Sequence, residues 1–125
     1  MRVRREDESK IKAIVKRADE EVGHMTWISA SLQNLQKHVG GYIEIVNLTE
    51  HLAAIGKENS INGDLAVICN DEGLVNGLPF NCRVHVYPFI NNFFGDIIIC
   101  GVDDEELCDV PISLKEWRQD YLGME

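Results

Sequence analysis

Two apolar runs restrict how this chain can fold. Residues 65–69 (LAVIC) and 97–100 (IIIC) are continuous and short, so each is expected to be a strand covered on both faces. Around them the pattern is mixed. Ile11, Ala13 and Val15 alternate with Lys12, Ile14 and Lys16 as a short strand with one blurred face, and MTWI (25–28) follows as a second strand after the ADEEVGH turn. Leu32, Leu35 and Val39 fall on one helical stripe, with Ser29 or Ser31 as N-cap and Gly40 or Gly41 as stop. YIEIVNL (42–48) has strong β character. In residues 83–87, Val84 and Val86 face one way and Arg83, His85 and Tyr87 the other, with Pro88 ending the strand or placing it at an edge.

The connections are marked by turn chemistry. Asn62-Gly63, NDEG (70–73) and Asn76-Gly77 are turn signals, and INNFF (90–94) and DDEELCD (103–109) are expected to be loops. Leu52, Ala53, Ala54 and Ile55 allow one helical turn before Gly56. Ser113 and Glu116 have the spacing of a capping box, opening a short helix that buries Leu114, Trp117 and Tyr121. Strands and helices do not alternate regularly. The expected fold is therefore α+β: a mostly antiparallel sheet with one helix after the first hairpin and a short C-terminal helix. At 125 residues one core is the expectation, with residues 1–10 as a flexible charged tail and 11–125 as a single domain.

Charge excludes some partners. Residues 1–50 hold eight Lys/Arg and eight Asp/Glu, whereas residues 51–125 hold four against thirteen, which supplies the whole net charge of −9. Direct binding to a nucleic-acid backbone would need the opposite sign, and so would adhesion to an anionic membrane. No apolar run approaches membrane-spanning length and the start has no signal-peptide core, so the expected location is the cytoplasm. Cys69, Cys82, Cys100 and Cys108 form no CxxC pair. In a reducing compartment they read as small hydrophobes rather than as a disulfide framework or a zinc site. The cluster Asp103, Asp104, Glu105, Glu106 and Asp109 lacks the spacing of a calcium loop and reads as a solvated acidic turn.

Four segments, LQKHVGGYIEIV, LAVICNDEG, NGLPFN and FFGDIIICG, occur in this order and resemble an uncharacterised family, domain of unknown function 3846. The likeness covers residues 11–121 and implies an origin in phages or mobile elements of Gram-positive gut bacteria. It implies no activity. Asp71 stands in place of the family's usual Glu, Leu74 in place of a Lys, and Cys82 in place of an Arg, leaving Arg83 as the neighbouring match.

The candidate ligand-binding residues are Asn70, Glu72, Asn81, Arg83, His85 and Tyr87. Arg83 is the one cation between Lys57 and Lys115, so it either pairs with Asp71 or Glu72 or awaits an anionic ligand. Asn70 and Asn81 equally suit a structural reading, in which they satisfy loop backbone while Gly73 and Gly77 supply positive φ. Phe89, Phe93 and Phe94 are the candidate interface, as an aromatic patch for a partner or a homodimer, with core packing as the alternative. Catalysis finds no motif: there is no GxSxG, P-loop or HExxH, and Cys82 and His85 should point to opposite faces of a strand. No cofactor or metal is expected. The first functional expectation is a non-catalytic accessory domain that binds a host protein or small ligand, with counter-defence through its acidic surface. The second is a nucleotide-binding or nucleotide-processing protein using Arg83 and the NDEG/GLPFN loop.

Overall fold

In the computed structural model, residues 10–48, 64–86, 89–104 and 106–124 are described, without the Phe89 side chain. Residues 1–9 of the expected tail, the helical turn near Leu52, the Asn62-Gly63 turn, Tyr87, Pro88 and Glu105 lie outside the described residues.

Strands β1 (Ile11–Lys16) and β2 (His24–Ile28) form the first hairpin, followed by helix α1 (Leu32–Val39) and β3 (Ile43–Asn47). Next come β4 (Asp64–Asn70), β5 (Phe80–Val86), β6 (Phe89–Phe94), β7 (Ile97–Asp103) and β8 (Glu106–Cys108). Helix α2 begins at Leu114–Glu116 and continues as a π-helical turn over Trp117–Tyr121. The main sheet has the order β2-β1-β7-β4-β3, with β8 also pairing β7, and every pairing is antiparallel. The α+β expectation holds.

Both apolar runs, as β4 and β7, occupy the inner positions of this sheet and are buried on both faces. One face packs Ala13, Val15, Ala66, Ile68, Ile98 and Cys100 against Leu35 and Val39 of α1. The opposite face packs Ile14, Val67 and Ile99 beneath Val84, Val86 and Phe93 of the β5–β6 hairpin and Trp117 and Tyr121 of α2. Helix α1 is capped as its sequence indicates: Ser31 Oγ accepts from Asn34 N–H, and Gly40 ends the helix in the left-handed region at φ 79°. Leu32, expected on the same stripe as Leu35 and Val39, is the first residue of α1 and is exposed.

Two expected loops are strands. INNFF forms β6, whose pairing with β5 runs from Val86↔Phe89 to Phe80↔Phe94. Asn91 and Asn92 break the apolar pattern without breaking the strand. Within DDEELCD, residues 106–108 form β8, because Leu107 alone carries enough apolar surface to hold that segment against the core. Gly77 has the expected positive φ, at 71°, but Gly73 does not. Its role is close approach: a Cβ there would lie 2.9 Å from the Phe94 carbonyl oxygen.

Candidate functional site

Lys16 ends β1 and is only 2% exposed. The strand's alternation turns it towards the face covered by the hairpin, where Ile14 also lies. Its Nζ donates to the Glu20 carbonyl oxygen at 2.7 Å and to Asn81 Oδ1 at 2.7 Å, with a longer contact of 3.4 Å to the Asn81 carbonyl oxygen. All three acceptors are neutral. Among the described residues no carboxylate lies within 4.0 Å of this ammonium. The Glu20 carboxylate is turned away, accepting from Arg17 N–H at 2.9 Å and facing His24 Nδ1 at 2.8 Å. Desolvation pulls the Glu20 carboxyl up, but those two partners outweigh it and hold it below the usual range.

Asn81 reaches Lys16 because of a bulge. Phe80 pairs with Phe94 and Cys82 with Phe93, so Asn81 is an extra residue in β5. A bulge re-aims one side chain out of the alternating pattern. Here it buries Asn81 beside Cys82, and the amide donates to the Lys16 carbonyl at 2.9 Å and the Gly95 carbonyl at 2.7 Å. One side chain thus joins the end of β1, the hairpin and the β6–β7 turn.

A cavity of about 440 Å³ opens over this pair, between β5, the β1–β2 turn and the end of α2. Lys16 and Asn81 line it together with Cys82, Arg83 and His85, the apolar Phe80, Leu122 and Met124, and the acidic Glu20 and Glu21. Arg83 and His85 are both exposed, two residues apart on the outer face of β5. Arg83 Nε donates to Asn92 Oδ1 on β6 at 3.1 Å, which holds the guanidinium over the hairpin. Asp71 and Glu72, its expected carboxylate partners, line a different cleft. Phe80, 52% exposed, stands edge-on to Phe94 and presents an aromatic surface.

The expected site residues therefore divide. Asn81, Arg83 and His85 converge on the cavity beside β5. Asn70 and Glu72 line a separate cleft of about 320 Å³, together with Glu44 and Asp71. Asn70 is committed to backbone: its amide donates to the Val39 carbonyl at 3.1 Å and its Oδ1 accepts from Glu72 N–H at 2.8 Å. Phe93 is buried in the core and Phe94 is half-buried against Phe80, so neither is a freely exposed interface residue. Lys16 was not legible as a site residue, since a lysine closing an alternating strand ordinarily faces water.

Three of the four thiols are poor nucleophiles. Cys82 lies on the inner face of β5 and His85 on the outer. Burial pushes the Cys82 thiol up to about 11 despite the opposing charge of Lys16. Burial likewise pushes Cys69 and Cys100 up to about 12. Only Cys108 is partly exposed among the four. In a disulfide-exchange titration of the native protein with DTNB at pH 8, one thiol should react rapidly and three only after denaturant is added. Rapid reaction of two or more would contradict this packing. Among the described residues, no three His, Cys, Asp or Glu side chains gather where they could hold a metal ion, and no helix is long and apolar enough to cross a membrane.

The stretch of chain that frames this site, from the start of β1 to the end of α2, matches a known family. The match to domain of unknown function (DUF3846) spans residues 11–122. The chain belongs to that family. Comparison with curated proteins and with solved structures found no match. Within this DUF3846 domain, the site joins Asn81, from the NGLPFN segment, to Lys16, from the first strand.

Proposed function

We propose that this domain is a non-catalytic binding module of phage or mobile-element type, whose ligand is a small phosphate-bearing molecule of the nucleotide class. The observation that carries the reading is the Lys16 ammonium, buried among neutral acceptors in the lining of a cavity that Arg83 and His85 share. A buried charge without a counter-charge keeps much of its desolvation cost, and an anion seated above it lowers that cost. Arg83 suits phosphate through its planar donors, and a cavity of about 440 Å³ is within the size range of small-molecule sites. Phe80 offers a face for a base. The one thiol that lines the cavity among the described residues, Cys82, is pushed up to about 11 by burial and is a poor nucleophile.

Capture of a basic host protein by an acidic surface, as in counter-defence by DNA mimicry, asks for carboxylates gathered on one face. Glu44, Asp71 and Glu72 lie at one end of β4, and Asp64, Asp103 and Asp104 at the other. Six residues of strand separate those ends by about 20 Å. The pocket reading has the better support.

Thermal melts with inorganic phosphate and with nucleoside mono-, di- and triphosphates test it. A ligand binding only the native state at a hundred times its Kd adds about 2.7 kcal/mol. At least one nucleotide should raise Tm by several degrees, and Arg83→Ala should abolish the rise while leaving the unliganded Tm close to the parent's. A flat panel, or the same rise in the variant, would overturn the proposal.

A further inference from the structure

The cavity beside β5 has a neighbour. A second cavity of about 440 Å³ is lined by Glu21, Val22, Leu114, Lys115 and Arg118. The β1–β2 turn and α2 border both. Glu21 lines the two cavities alike, while α2 gives Lys115 and Arg118 to one and its end gives Leu122 and Met124 to the other.

Charge around these cavities runs against that of the surrounding chain. Residues 51–125 hold four Lys/Arg against thirteen Asp/Glu. Arg83, Lys115 and Arg118 are the cations of that segment among the described residues, and each lines one of the two cavities. None of them has a carboxylate within 4.0 Å among the described residues. Cations left unpaired in so acidic a segment remain available to an anionic ligand. Lys16 adds to them. Two of its N–H groups make 2.7 Å bonds, and the remaining one has only the 3.4 Å contact with the Asn81 carbonyl.

The residue common to both cavities is a carboxylate. Glu21 is exposed and has no ion pair of its own among the described residues. A continuous chain of phosphates laid from one cavity to the other would set a phosphate against it, and like charges at close range repel. A sugar in the same place would donate a hydroxyl to it instead, a charge-assisted hydrogen bond.

We propose, resting on the nucleotide reading of the β5 cavity, that the ligand carries two phosphate groups held apart by its sugar. One phosphate meets Arg83 and Lys16, the other meets Lys115 and Arg118, and Glu21 accepts from a sugar hydroxyl between them. The ligand class is then a nucleoside bisphosphate, phosphorylated at separate positions of the ribose. Nucleoside mono-, di- and triphosphates keep the contact with Arg83 but not the second one, and bind more weakly.

Titration calorimetry on the full chain with adenosine 3′,5′-bisphosphate, ADP and ATP tests this. ADP contains the same atoms as the bisphosphate with its phosphates in a chain, and ATP matches its charge. The bisphosphate should bind about tenfold more tightly than either, the effect of one further charge-assisted contact. The Lys115→Ala/Arg118→Ala double variant should bring the bisphosphate down to the ADP level and leave ADP binding unchanged. Both positions are exposed and outside the Ser113–Glu116 capping box, so the helix should keep its start. Glu21→Gln should strengthen ADP and ATP binding by removing the repulsion, and Arg83→Ala should weaken all the nucleotides. ADP or ATP binding the parent as tightly as the bisphosphate overturns the inference and leaves the nucleotide reading standing. So does a preference that survives the loss of Lys115 and Arg118. Absence of binding by every nucleotide overturns the reading and the inference together. Should the double variant misfold, the response of ADP and ATP to Glu21→Gln decides.

Discussion

Asn81→Ala should lose about 4 kcal/mol of folding stability, read as a lower urea midpoint at pH 7 with an unchanged slope. The loss arises on three atoms at once. The amide's two N–H groups leave the buried carbonyls of Lys16 and Gly95, and Oδ1 leaves the Lys16 ammonium. An unsatisfied buried polar group costs about 1–3 kcal/mol, and stripping a partner from a buried charge costs about 3–5 kcal/mol. The adjacent cavity admits water to part of this surface, which keeps the total near the middle of those ranges. Lys16→Met should cost less, because it removes the charge together with its donors. A double-mutant cycle between the two positions should show strong non-additivity, since both single changes break the same bond. Additive losses, or an Asn81→Ala variant within about 1 kcal/mol of the parent, would mean that the bulge is held by packing and not by this network.

That network also marks where the sequence ceased to be legible. Elements with local signals were visible: the Ser31 and Gly40 caps of α1, the Ser113–Glu116 capping box, the Gly77 turn, and the two strands buried on both faces. Each depends on residues within a few positions of one another. β6 was hidden because Asn91 and Asn92 interrupt its apolar pattern in a strand whose pairing is fixed by a hairpin partner. β8 was hidden because three residues cannot display a period. The bulge at Asn81 leaves no trace in a pattern of period two, since an inserted residue looks like an ordinary polar position at the end of a strand. Lys16 and Asn81 are separated by 65 positions, so only the topology brings them together. Arg83 and His85 were legible as a pair on one strand face, but the wall opposite them comes from β1, its turn and the end of α2. A site assembled from three distant segments is a property of the fold, not of any one motif.

Trp117→Ala should destabilise the domain by about 3–5 kcal/mol, the range for truncating a buried aromatic. Trp117 is fully buried against the hairpin face of the core, stacked on Tyr121 at 6.1 Å between ring centroids, and its Nε1 donates to the Val22 carbonyl at 3.0 Å. The π-helical turn, closed by Leu122 N–H onto the Trp117 carbonyl at 3.0 Å, carries this anchor directly into the segment whose Leu122 and Met124 wall the cavity. Loss of the indole therefore removes packing and also frees the wall. Trp117→Phe separates the two effects: it keeps most of the apolar contact, drops one hydrogen bond, and should cost about 1–2 kcal/mol. If the cavity at β5 is the binding site, Trp117→Phe should retain the nucleotide-induced rise in Tm and Trp117→Ala should lose it, in urea-free melts where both variants remain folded at the starting temperature. A Trp117→Ala chain that stays near parental stability would show that α2 adds little to the core, and full ligand response in that chain would move the site away from the wall formed by Leu122 and Met124.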